Sequence, residues 1–112
     1  GVVPAATGAA CGIVFLMNGD DVAFPCAVNA MAASITGMIC DGAKPGCALK
    51  ASIGAAAAVQ AALLAVNGCC VASDEGIVGA DVEKTIENLA AVAVDGMKSI
   101  DPVVLDIMLH KT

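Results

Sequence analysis

The sequence predicts an all-α fold of about five helices, three of them nearly fully buried, as part of a larger helical domain. Three observations carry the fold class. No stretch of useful length alternates apolar and polar residues with the period of two that a half-buried strand requires. Long apolar runs of Ala, Gly, Val and Met are separated by Gly-, Pro- and Asn-containing turns that read as helix stops and starts. One segment near the C-terminus carries an open helical period, with Val82, Ile86, Leu89, Ala90 and Ala93 on one face.

Taken in order, residues 4–17 read as the first helix, with Pro4 in its first turn, Cys11 along it, and Gly8 and Gly12 as points of close packing. Asn18-Gly19-Asp20-Asp21 is a turn and a helix start. Residues 22–39 form a second apolar helix, irregular near Pro25, in which Asn29, Ser34 and Thr36 read as satisfied core polar groups. Residues 47–67 form a long third helix, uncharged from Ala51 onward. Gly54 is its packing notch, Gln60 calls for a buried partner, and Asn67-Gly68 ends it. The loop Asp74–Gly79 leads to Asp81, which caps the amphipathic fourth helix; Glu83, Lys84, Glu87 and Asn88 face water, and Asp95-Gly96 ends it. Asp101-Pro102 is a cap followed by a first-turn proline, opening a last helix through about His110, a surface residue favoured by the helix C-terminus.

The composition explains why so many helices should be buried. The chain has 112 residues, 59% hydrophobic, yet only 2 Phe and no Trp or Tyr. Small side chains let helices approach closely but give each one little apolar area, so the chain reads as the interior of something larger. The net charge is −6, from 11 acids against 5 bases, which excludes a nucleic-acid partner because such a partner needs a basic face. Residues 1–73 carry only Asp20, Asp21, Asp41, Lys44 and Lys50, so this part reads as core and the rest as surface. The runs Val22–Cys40 and Ala51–Ser73 approach the length of a membrane span. They lack an aromatic belt, and their apolarity comes from Ala and Gly, so a membrane partner is not expected. Six Cys in so apolar a chain do not resemble a secreted disulfide scaffold. Cys11, Cys26, Cys69 and Cys70 therefore read as buried structural thiols in a reducing cytoplasm.

One stretch departs from this background: Cys40-Asp41-Gly42-Ala43-Lys44-Pro45-Gly46-Cys47-Ala48-Leu49-Lys50. It reads as a short turn between two helices. Gly42 and Gly46 permit backbone angles closed to other residues, and Pro45 suits a helix start. Cys47 then falls in the first turn of the next helix, where unpaired amides favour negative charge, and Lys44 and Lys50 add positive charge nearby. Two thiols around a glycine turn can converge on one centre. The spacing alone leaves three readings open: buried structural cysteines, a zinc site, although zinc pairs are usually closer and joined by His, or an iron–sulfur site that prefers thiolates alone.

The wider sequence is more specific. Ile39 through Lys50 resembles the C-terminal part of the L-serine dehydratase alpha / L-cysteine desulfidase family of iron–sulfur lyases. The likeness continues through Ala61, Leu63-Leu64-Ala65-Val66-Asn67-Gly68, Glu75-Gly76-Ile77-Val78-Gly79, Asp81 to Leu89, Asp101, and Ile107-Met108. It covers essentially the whole chain in order, and the six-residue gap between the cysteines looks more like the desulfidase branch. The resemblance implies that residues 1–112 are the C-terminal portion of an all-helical iron–sulfur lyase domain. It implies a [4Fe–4S] cluster in the intact protein with Cys40 and Cys47 as ligands, and a third cysteine just before a segment like Gly1–Ala6. Asp41, Lys44, Lys50 and Glu75 would support the site, Lys44 and Lys50 by offsetting cluster charge or holding a carboxylate. The implied reaction is α,β-elimination on a small amino acid, giving pyruvate and ammonia from L-serine, with sulfide from L-cysteine. The general base would lie upstream. The portion alone is expected to carry no intact cluster and to be inactive, with its apolar surface covered by the rest of the parent chain or by a second copy. The competing reading is a non-catalytic Ala/Gly-rich helical module for a membrane or for packing.

Overall fold

The computed structural model describes residues 1–111. It contains α1 (Val2–Leu16), α2 (Ala23–Ile35), α3 (Cys47–Val66), α4 (Val82–Ala91) with a wider π-helical turn over Val92–Gly96, and α5 (Ile100–His110). The described residues hold no strand. The all-α reading with five helices is what the structure shows.

Helices α1, α2 and α3 pack on one another in an up-and-down layer, and α4 packs on α2. Small residues at helical spacing make this possible. Ala6, Ala10 and Val14 of α1 meet Ala23, Cys26, Ala27 and Met31 of α2 and Ala58, Ala61, Ala62 and Ala65 of α3. Gly54 brings α3 onto the start of α1: a Cβ there would lie 2.6 Å from Val2 Cγ1 and 3.3 Å from Ala6 Cβ.

Within this chain alone, the three longest helices are not fully enclosed. Each buries one stripe of small residues and turns larger ones outward, with Phe15 71%, Leu16 78% and Leu49 71% exposed. The molecule measures 51 × 28 × 15 Å. Helices α1, α2 and α3 meet pairwise around one narrow core made mostly of alanines, which cannot enclose the outer face of any of them. The radius of gyration, 15.3 Å, exceeds the ~13 Å of a compact chain of this length for the same reason. At 20 residues, α3 is long and apolar enough to cross a membrane by length and composition.

Other expectations shift locally. Gly8 and Gly12 face open space rather than a neighbour, and Gln60 is exposed and needs no buried partner. The second helix ends at Ile35, because Thr36 is extended and Gly37 has φ +95°. Asp81 does cap α4, accepting the Lys84 amide at 2.8 Å. The packed face of α4 is nevertheless centred on Thr85, which is fully buried, while Ile86 is exposed. Hydrogen bonds set this rotation. Thr85 Oγ1 accepts from the Gly79 amide at 2.9 Å and lies 3.1 Å from Asn29 Oδ1 on α2. Asp101 sits inside α5, whose cap position is Ser99.

The cysteine reading is also corrected. Cys26 and Cys70 form a disulfide, because the end of α3 returns to the start of α2 and brings their Cα atoms to 4.7 Å. Cys69 is exposed rather than buried, and Cys11 is half-buried.

Candidate functional site

At the other end of the layer lies the segment from Thr36 to Lys50. Gly42 has φ +97°, a conformation only glycine adopts without strain. The missing side chain also leaves room for Met108 of α5, whose Cε would be 3.0 Å from a Cβ at this position. The chain then winds into α3 through successive tight turns, Cys47 N–H to Lys44 O, Ala48 N–H to Pro45 O and Leu49 N–H to Gly46 O, at 2.9, 3.0 and 3.1 Å. Cys47 is thereby the first residue of α3, and its Sγ–H donates to Gly42 O at 3.1 Å.

Asp41 ties the segment together. Its carboxylate accepts from both Lys44 and Lys50, and Lys44 also donates to the Asp41 carbonyl at 3.1 Å. The Lys44 ammonium, followed by that of Lys50, holds the Asp41 carboxyl well below the usual carboxylate range. Asp41 in turn raises Lys50, and the nearby thiols of Cys47 and Cys40 act in the same direction. Lys50 is therefore a firmly charged ammonium in reach of the field of both cysteines.

Cys40, Cys47 and Lys50 line one cleft of about 430 Å³. Gly1 to Pro4 at the start of α1 form a second wall. A third comes from Leu89 of α4, Ala93 and Met97 around the π turn, and Ile100 and Asp101 of α5. The volume is within the range of small-molecule sites. Thr36 lines the cleft too, and its hydroxyl oxygen is buried with no hydrogen-bond partner among the described residues. An unmade hydrogen bond of this kind costs about 1–3 kcal/mol, so the reading of Thr36 as a satisfied core group is corrected.

The donor set fits an iron–sulfur centre in part. Two free thiols face one cavity beside a fixed cation, the setting in which thiolates bind iron. Among the described residues no three His, Cys, Asp or Glu side chains are grouped to hold a metal ion, so the two thiols by themselves do not make a complete site. Cys11 does not line the cleft, and burial pushes its thiol pKa up. Glu75 does not line it either; its carboxylate accepts the Ala72 amide of its own loop at 3.2 Å. Asp41 and Lys44 reach the cleft only through Lys50. The sequence reading missed Thr36 and Asp101 as cleft residues. The first looked like helix interior and the second like a cap, and neither motif signals that two distant segments meet.

The family described as serine dehydratase alpha chain matches residues 1–106. Among curated relatives, a UPF0597 protein of Phocaeicola vulgatus is 52% identical over 111 residues, covering 99% of this chain and 26% of the relative. A UPF0597 protein of Bacteroides fragilis is 51% identical over 111 residues, again 99% of this chain and 26% of the relative. One of Clostridium perfringens is 46% identical over 109 residues, covering 97% and 26%. The chain thus spans about a quarter of the length of the curated relatives it matches. No solved structure matches it.

Proposed function

Because the chain belongs to the serine dehydratase alpha chain family, we propose that the intact protein is an iron–sulfur lyase acting on a small amino acid. In this reading Cys40 and Cys47 are two ligands of its [4Fe–4S] cluster. The observation that carries the reading is the shared cleft: both free thiols, the paired Lys50 and the start of α1 wall the same cavity.

When bound, the cluster supplies a Lewis-acidic iron that helps the β-hydroxyl or β-thiol leave. This chain's residues do the rest of what the cleft allows. Cys40 and Cys47 would hold the cluster from one loop, whose conformation Gly42 and the Asp41 pairs set. Lys50, held by Asp41, offsets negative charge beside the two thiolates. Leu89, Met97 and Ile100 give the opposite wall an apolar lining that limits water. Gly1 to Pro4 wall the cavity, so a third thiolate supplied by the parent just ahead of Gly1 would reach it. The base that removes the α-proton is assigned to the rest of the parent. The exposed apolar side chains of α1 and α3 are assigned to contact with that part or with a second copy.

L-serine and L-cysteine both fit this reading as substrate. The test is anaerobic iron–sulfur reconstitution of the full-length protein, followed by pyruvate assay with each amino acid and sulfide assay with L-cysteine. Pyruvate from either supports the lyase, and sulfide supports the desulfidase assignment. Full iron loading with no product from either refutes the reaction proposed.

A further inference from the structure

The cleft holds polar groups that the two ligands and Lys50 do not account for. Asp101 is the single carboxylate among its lining residues. It projects from the first turn of α5 and has no ion-pair or hydrogen-bond partner among the described residues. Across the cavity, Thr36 carries the buried hydroxyl with no partner, next to a wall that also bears Lys50. One acid, one hydroxyl and one ammonium around an otherwise apolar cavity complement a ligand that carries both charges.

We propose that the cleft recognises its substrate as a zwitterion, with the Asp101 carboxylate taking the α-ammonium and the Thr36 hydroxyl, backed by Lys50, taking the α-carboxylate. The inference rests on the lyase reading above and names what holds the amino acid in place. Asp101 suits the ammonium because it is uncompensated, whereas Asp41 is already saturated by Lys44 and Lys50. Thr36 suits the carboxylate because its hydroxyl has a donor to give and no acceptor. A turn about χ1, a single-bond rotation between staggered wells, exchanges its methyl and hydroxyl at the cleft wall. Thr36 has left α2 and precedes Gly37, whose φ is +95°, so no helical backbone restricts its χ1 wells. Both groups are positioning residues that bind substrate, and neither is asked to hold iron.

The experiment uses the reconstituted full-length protein with L-serine and L-cysteine as substrates, and L-lactate and ethanolamine as competing probes. Lactate keeps the carboxylate and lacks the ammonium; ethanolamine does the reverse. Asp101→Asn should raise KM about 10- to 100-fold, the weight of a hydrogen bond to a charged group. It should leave inhibition by lactate unchanged and weaken inhibition by ethanolamine. Thr36→Val should raise KM by a similar factor and weaken lactate but not ethanolamine, and Thr36→Ser should restore the wild-type KM. Iron content and the visible absorption of the cluster should match wild type in all three. Unchanged KM in an active enzyme, equal effects on both probes, or loss of iron with KM unmoved overturns the zwitterion assignment alone. A loaded wild type that turns over neither amino acid overturns the lyase reading and this inference with it.

Discussion

Two glycines four positions apart in one loop should respond to alanine with opposite sign. Gly42 has φ +97°, where an L side chain is strained. An added Cβ would also meet Met108 Cε at 3.0 Å, though that flexible thioether end can move away. The backbone term therefore decides, at about 1–2 kcal/mol of destabilisation for Gly42→Ala. Gly46 has φ −59° and ψ −23°, ordinary helical values, and its nearest neighbour is Lys44 Cε at 3.3 Å, again a flexible end. Gly46→Ala should stabilise the native loop by about 0.4–1 kcal/mol, through lost freedom in the unfolded chain. Trypsin reads the difference. Lys44 is protected by the proline that follows it, so cleavage after Lys50, in the first turn of α3, reports opening of this segment. When opening and closing are fast relative to cleavage, the rate follows the open population. Cleavage in the full-length protein should rise about 5- to 30-fold in Gly42→Ala and fall about 2- to 5-fold in Gly46→Ala. Equal changes of the same sign would refute the argument that φ, rather than crowding in the loop, controls both positions.

Three further outcomes follow from the structure. Cys40→Ser or Cys47→Ser should remove iron and lyase activity from the full-length protein, while Cys69→Ser should retain both; equal iron loss in all three, by metal analysis, would break the assignment of ligands. Thr85→Val keeps the shape but strands the Gly79 amide, which now donates to Thr85 Oγ1 at 2.9 Å. It should lower stability by about 1–3 kcal/mol in denaturant unfolding, and a loss below about 0.5 kcal/mol would show that the pair is immaterial. Asp41 is held below the usual carboxylate range by Lys44 and Lys50. The stabilisation from its charge is present above the unfolded value of about 3.9 and is lost as pH falls through the lower folded value. A carboxyl NMR titration of Asp41 should accordingly show its midpoint below about 3.9, and a midpoint at or above that value would mean the two lysines do not hold it.

What the sequence determined by itself is local. Apolar period, proline and glycine punctuation and capping acids act within a few residues, so α1, α3 and the Asp81 cap of α4 were legible to within a residue or two. The two thiols stood out because reactive residues crowd into one short loop of an Ala-rich chain, and the order of segments along the chain pointed to the serine dehydratase alpha chain family. Tertiary structure decided what depends on which distant segments meet. Gly46 looked like Gly42 in sequence, yet only Gly42 takes a positive φ, where the chain turns against Met108 of α5. Cys26 and Cys70, 44 residues apart, become partners because α3 returns to the start of α2. Thr85 rather than Ile86 faces inward because Asn29 and Gly79 offer it hydrogen bonds. Thr36 and Asp101 belong to one cleft because the end of α2 and the start of α5 converge there. That this chain leaves apolar surface outward followed from its small-residue composition, but which side chains lie there, Phe15, Leu16 and Leu49 among them, depends on which stripes the three helices turn toward one another.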